Sequence, residues 1–285
     1  MKTRKKVLLG IFIVVLVLLL FFLLPFSFHK RAFEQKMESR VEALVETKDR
    51  CSQEEIDQLP VAMQKHLGFI GLVGTKKFAG VNIEYKKAFF LFDTKKNTQL
   101  HINYDLWLLC DPPFRQAYIQ SSIFGLPFEG VDYMNKETGG MKGYLGKILP
   151  IFDIEEKQAF KAGLISWLAE GAALNPSILL SDYVEFEEID ERSVRAKVTS
   201  QGISGEGIFR FNEEGILYSF ESDERQVEEV DGVKRAIGWK TYYEDFEEVS
   251  YFKLPKSMKA TKIYPDKDKE VVYFDSDDYE IIWYK

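Results

Sequence analysis

Residues 100–108 read Leu-His-Ile-Asn-Tyr-Asp-Leu-Trp-Leu, and their alternation decides the fold class. Leu100, Ile102, Tyr104, Leu106 and Leu108 share one face, while His101, Asn103, Asp105 and Trp107 take the other. A period of two marks a half-buried strand. Wound as a helix, the same apolar positions would scatter around the whole girth.

Comparable segments extend in both directions. Residues 78–85 precede it, and 114–124, 129–135 and 141–149 follow, punctuated by Asp111-Pro112-Pro113 and Thr138-Gly139-Gly140. One helix interrupts at 155–173, where Phe160, Leu164, Trp167, Leu168 and Ala172 fall close to helical spacing. Gly171 or Asn175-Pro176 ends it. Strands then resume at 183–189, 193–199, 203–211, 216–224, 234–246, 252–264, 270–274 and 279–284. Gln201-Gly202, Asn212 to Gly215, Gly232 and Asp266-Lys267-Asp268 separate them. The pattern predicts roughly ten to twelve strands on short connections, hence mainly antiparallel pairing.

Upstream the character differs. Residues 7–28 are apolar all round, with no charge inside, and about 20 such residues span a bilayer core of about 30 Å. Lys2, Arg4, Lys5 and Lys6 precede the run and favour a cytoplasmic amino end, although Lys30 and Arg31 follow it. A cleaved signal peptide would end in small residues, whereas this run ends in Leu24-Pro25-Phe26-Ser27-Phe28. The first cysteine is Cys51, so no lipobox follows. The expected layout is a basic tip (1–6), an uncleaved transmembrane signal-anchor (7–28), a juxtamembrane helical segment (29–58) and an extracytoplasmic β-rich domain (59–285). In the third, Phe33, Met37, Val41 and Leu44 form one helical face beside Glu34, Glu38, Glu42 and Glu46. That face packs on the domain or, alternatively, on a second copy. Ser52-Gln53-Glu54-Glu55 is a capping box, and Leu59-Pro60 restarts a helix.

The net charge of −7 argues against nucleic acid as a partner, since phosphate neutralisation needs basic patches. Cys51 and Cys110 are too few for a disulfide framework, and two free thiols are the simpler expectation.

Several short motifs carry a family resemblance. They are Leu59-Pro60 through Leu67-Gly68, Pro113-Phe114, Gly139-Gly140-Met141, Leu168-Ala169-Glu170 with Asn175-Pro176, Trp239 with Tyr243, and Leu254-Pro255. Together they resemble an uncharacterised bacterial membrane-anchored family, a domain of unknown function of the DUF6544/DUF6920 kind. The chain departs where that family commonly has Tyr in place of His66, and where a Trp-Phe-Pro often ends the helix. The resemblance implies an extracytoplasmic, mostly β domain and no known activity. A looser likeness of layout is to half-open β-barrels that shuttle lipoproteins or lipids. The expected fold is therefore mainly β (α+β), an antiparallel half-barrel with one or two covering helices behind an N-terminal transmembrane helix.

Motifs for chemistry are sparse. His29, His66 and His101 have no metal-ligand spacing. Asp266-x-Asp268-x-Glu270 and Asp275-x-Asp277-Asp278 lack the calcium-loop glycine and read as solvated turns. Gly202-Ile203-Ser204-Gly205 misplaces the second glycine of a nucleophile elbow. Gly205-Glu206-Gly207 lacks the third glycine and the helix of a dinucleotide site. No catalytic residue, metal ligand or cofactor is assigned. Glu170, on a mainly apolar helix, could bind a cation, act as an acid, or anchor a buried arginine such as Arg115 or Arg225. Asp132 and Arg225 lie in strand patterns, and Trp107, Trp167 and Trp239 could line a pocket or fill the core. The candidate ligand set is Trp107, Asp132, Trp167, Glu170, Arg225 and Trp239. The expected function is non-catalytic binding of an apolar or lipid-like ligand at the cell membrane. Partners are the bilayer, a lipid or lipoprotein, or another membrane protein. The alternatives are an envelope hydrolase using carboxylates near Glu170 and a scaffold.

Overall fold

The computed structural model describes residues 2–24, 26–45, 49–135, 137–228, 233–264 and 269–285. In helix α1 (Lys2–Leu23) residues 4–17 are exposed, while Phe21 and Phe22 near its end are half-buried, and residues 4–22 are long and apolar enough to cross a membrane. Helix α2 (Phe28–Glu42) follows at once. The apolar run 7–28 thus divides into two helices. The cause is Ser27, whose hydroxyl accepts from the amides of His29 (3.2 Å) and Lys30 (3.3 Å) and caps α2. Pro25, also in that run, lies outside the described residues, as do Glu46 of the acidic stripe, Gly232, Asp266 and Asp268.

Helix α3 (Gln53–Asp57) opens on the capping box, with Ser52 and Glu55 satisfying each other's backbone amides. Helix α4 (Val61–Phe69) starts after Pro60. Six strands follow: β1 (Gly80–Asp93), β2 (Thr98–Leu109), β3 (Phe114–Ile123), β4 (Leu126–Asn135), β5 (Thr138–Leu145) and β6 (Leu149–Glu156). Helix α5 (Lys157–Leu174) and a 3-10 turn (Pro176–Leu180) lead to β7 (Val184–Asp190), β8 (Ser193–Ser200), β9 (Ile203–Phe211) and β10 (Leu217–Glu228). Then come β11 (Lys234–Val249), β12 (Phe252–Tyr264), β13 (Lys269–Ser276) and β14 (Tyr279–Tyr284).

The described strands number fourteen in one antiparallel sheet, ordered β6-β5-β4-β3-β2-β1-β13-β12-β11-β10-β9-β8-β7. β14 pairs with the first half of β1, and β13 with its second half. The strands depart from the expected pattern at two places, one that lengthens a strand and one that adds to the count. A bulge after Tyr85, with Lys87 at φ 53°, resets the alternation, so β1 runs on past the residue where its pattern breaks. The segment 141–149 conceals a hairpin turn, because β5 ends at Leu145 and β6 starts at Leu149.

Helix α5 touches β4 and β5 in one arm of the sheet and β8, β9 and β10 in the other. In a flat sheet β5 and β9 would stand about 43 Å apart, nine strand spacings. A helix about 10 Å wide reaches both only if the sheet curls around it. The fold is therefore a half-barrel with α5 across its concave face. Two glycines permit the approach. A Cβ on Gly139 would lie 2.5 Å from the Phe160 nitrogen, and one on Gly205 would lie 2.7 Å from Ile165 Cγ1. Aromatic donors and acceptors then fasten the helix. Trp167 Nε1 donates to the Leu109 carbonyl (2.8 Å), Tyr243 Oη to Ala169 O (2.9 Å) and Trp283 Nε1 to Leu174 O (3.0 Å).

Helix α2 lies on the other face. Its Phe33 and Met37 are buried with Leu109, Phe114 and Tyr118, and Leu44 packs at the edge of this cluster. The amphipathic stretch thus covers the back of β2 and β3, while Glu34, Glu38 and Glu42 stay exposed. Cys51 and Cys110 are both free thiols, and burial pushes Cys110 up to about 12.

Candidate functional site

Between α5 and the curled sheet lies a cavity of about 280 Å3. Its wall is largely apolar and aromatic: Tyr85, Tyr104, Ile119, Met141, Trp239, Met258, Tyr273 and Phe274 contribute. Strand alternation puts most of these side chains on the inner face, and a bulge in β13, where Phe274 pairs with Ala260 but Val272 with Thr261, lets the adjacent Tyr273 and Phe274 both line it. The rings pack edge to face or tilted, with Phe274 5.4 Å from Tyr85 and 5.7 Å from Tyr104. Exposed Gln226, with half-buried Glu156 and Lys262, marks the open side.

Two arginines face this space. Arg115, on β3, is 6% exposed and fully engaged. Its Nε donates to Glu170 Oε2 (2.7 Å) and its Nη2 to Glu170 Oε1 (2.9 Å), a bidentate pair. Nη1 donates to Asp132 Oδ2 (2.6 Å), and Nη2 also donates to Tyr104 Oη (2.7 Å). Burial opposes the guanidinium charge, but the carboxylates of Asp132 and Glu170 outweigh it and hold its pKa well above the usual value. Burial also pushes the Tyr104 and Tyr85 hydroxyls well up, and the nearby acids add to this. The tyrosines therefore stay neutral donors.

Arg225, on β10, is held differently. Its guanidinium lies 4.4 Å from the centre of the Trp239 ring, a cation–π contact, and Nη1 donates to Ser166 Oγ (2.9 Å). Its buried Nε has no partner, and among the described residues no carboxylate pairs with it. Trp239 is itself oriented by donating Nε1 to Tyr273 Oη (2.7 Å).

Of the six candidates, the fold brings Asp132, Glu170, Arg225 and Trp239 to one cavity. It leaves two outside. Trp107 alternates with inward Leu106 and Leu108, so it points to the outer face, where it stacks on Tyr284 at 5.3 Å. Trp167 is fully buried in the packed core behind the cavity, its indole nitrogen spent on Leu109. Glu170 emerges as the anchor of a buried arginine, with both oxygens occupied. Sequence reasoning missed Tyr104 and Arg115 as members of the site, although Tyr104 lies on the inward face of the opening stretch.

The profile of a family of unknown function (DUF6544) matches residues 49–276. The chain belongs to this family. No curated protein matches it. A LolA superfamily protein from Nitrosomonas europaea, known from its crystal structure, is similar over 71% of this chain and 83% of its own, at 12% identity and a TM-score of 0.27. The matched DUF6544 region begins just before α3 and ends within the last residue of β13, so it contains every residue of the cavity wall and neither α1 nor α2.

Proposed function

We propose that this member of the family is a membrane-tethered envelope protein that binds an amphipathic, lipid-like molecule in its half-barrel without transforming it. The observation that carries the reading is an aromatic-walled cavity containing a guanidinium, Arg225, that no carboxylate among the described residues pairs with and whose buried Nε lacks a hydrogen-bond partner. At about 280 Å3 it is close to the lower end of ordinary small-molecule sites, enough for a short apolar segment rather than a whole diacyl lipid. The apolar wall suits a hydrocarbon portion, and Arg225 with Ser166 suits an anionic or strongly polar head. Helix α1 serves as the tether, with its basic amino end in the cytoplasm and the β domain outside.

The hydrolase reading loses support from the same geometry. Asp132 and Glu170 share Arg115, and both Glu170 oxygens accept from it, so neither is poised as a general acid. The test is mild-detergent purification of the full chain followed by mass spectrometry. One class of amphiphile is expected to co-purify with the parent chain and to be depleted in Arg225→Met. A chain that comes out empty in repeated preparations, and whose tryptophan emission ignores added fatty acid, would overturn the reading.

A further inference from the structure

Two neighbouring hairpin tips carry large apolar side chains that nothing covers. At the β3–β4 tip Phe124 is 99% exposed, and at the β5–β6 tip Ile148 is 63% and Leu149 58% exposed. The Gly146 amide donates to the Pro127 carbonyl (2.7 Å), so the tips sit side by side. Single exposed apolar residues are ordinary, but a cluster on adjacent turns marks an interaction surface.

Their position names the partner. Between Gly146 and Ile148, Lys147 is 5% exposed, and its Nζ donates to the carbonyls of Phe21 (3.2 Å), Leu24 (2.5 Å) and Phe26 (3.1 Å). It thereby satisfies carbonyls at the carboxyl end of α1. Both tips are thus held where the apolar helix ends, beside exposed Leu24, Phe26 and Phe28. The uncharged stretch of α1 from Val7 to Leu23 is about 26 Å long, slightly less than the bilayer core of about 30 Å. The core boundary therefore falls at or beyond the last turn of α1, level with the tips. The one charge on the β5–β6 tip is already hydrogen-bonded to three carbonyl oxygens and 5% exposed, so insertion removes little further water from it.

We infer that the β3–β4 and β5–β6 tips insert Phe124, Ile148 and Leu149 into the outer leaflet at the base of the tether. This rests on α1 spanning the membrane. The domain would then be fixed on the bilayer at two places, by its helix and by one end of its sheet.

The experiment uses nitroxide labels on the full chain in phosphatidylethanolamine–phosphatidylglycerol vesicles. Phe124→Cys and Ile148→Cys report the tips, Val14→Cys reports α1, and Ile189→Cys on β7 is a surface reference. The unsubstituted chain, whose Cys51 is buried and Cys110 half-buried, supplies the background. Labels at 14, 124 and 148 are expected to be more accessible to oxygen than to a water-soluble nickel chelate, with the reverse at 189. Tips in water with position 14 in lipid would overturn the insertion and leave the tether standing. Position 14 in water would overturn both.

Discussion

Arg115 and Arg225 face one cavity, yet the fold treats them in opposite ways. Arg115 is surrounded by two carboxylates and a phenol and makes four hydrogen bonds of 2.6–2.9 Å. Arg225 has a hydroxyl, an indole face and a buried nitrogen without a partner. A buried charge that is fully paired is part of the structure. One left incompletely paired can gain from a ligand that completes it. The difference separates an architectural arginine from the one proposed to meet a ligand.

The sharpest way to break this contrast is Arg115→Met. It leaves Asp132 and Glu170 facing each other without a counter-charge, and a loss of about 3 kcal/mol is expected. That is the lower end for a broken buried pair, because Asp132 keeps 35% of its side chain exposed. Thermal and urea unfolding in detergent measure it. An unchanged midpoint would deny Arg115 its architectural role.

A buried histidine tests the principle from the other side. Among the described residues His66 has no acidic partner, its Nδ1 accepts from the Leu217 amide (3.3 Å), and burial holds its pKa down to about 3. The unfolded chain takes up a proton near pH 6.5, and the folded chain refuses it until about 3. Stability from this site is therefore complete above about pH 6.5 and is lost as pH falls towards 3. The loss at pH 4.5 is about 2–3 kcal/mol. His66→Gln should flatten that part of the stability–pH curve. If the curves of the two chains run parallel from pH 6.5 to 4.5, the imidazole is not held neutral by burial.

Glu170→Gln keeps an acceptor for Arg115 and leaves Asp132 as counter-ion, so about 1–2 kcal/mol is expected. A silent substitution would mean that Asp132 alone suffices. The smallest effect on stability belongs to Arg225→Met, within about 1 kcal/mol, because no ion pair is broken. Its readout is depletion of the co-purifying amphiphile. A strongly destabilised Arg225→Met chain would make this arginine architectural as well.

How legible all this was in the sequence varies by element. The strand at 100–108 was plain, and residues 98–109 pair as β2. The helix at 155–173 appeared as α5 two residues later at its start. What misled was local: the bulge in β1 and the turn between β5 and β6 each reset a period that a linear reading continued. The site was harder. Asp132, Glu170, Arg225 and Trp239 were selected by residue type within a pattern, and the same rule admitted Trp107 and Trp167, which face elsewhere. Arg115, the hub, stood at a strand start and entered only as a partner for Glu170.

By itself, then, the sequence determined what depends on neighbours along the chain: an apolar helix at the amino end, a capped α3, and alternation that commits most of the remainder to strands. Periodicity is a local property, set by 3.6 or 2 residues per turn of backbone. Only the tertiary structure decided which side of the sheet became the inside, and so which tryptophans met the cavity. It alone joined Arg115 to Asp132, 17 residues away on β4, and to Glu170, 55 residues away on α5. Those partners meet because the sheet curls around a helix, and curvature is a property of the whole sheet that no single segment encodes.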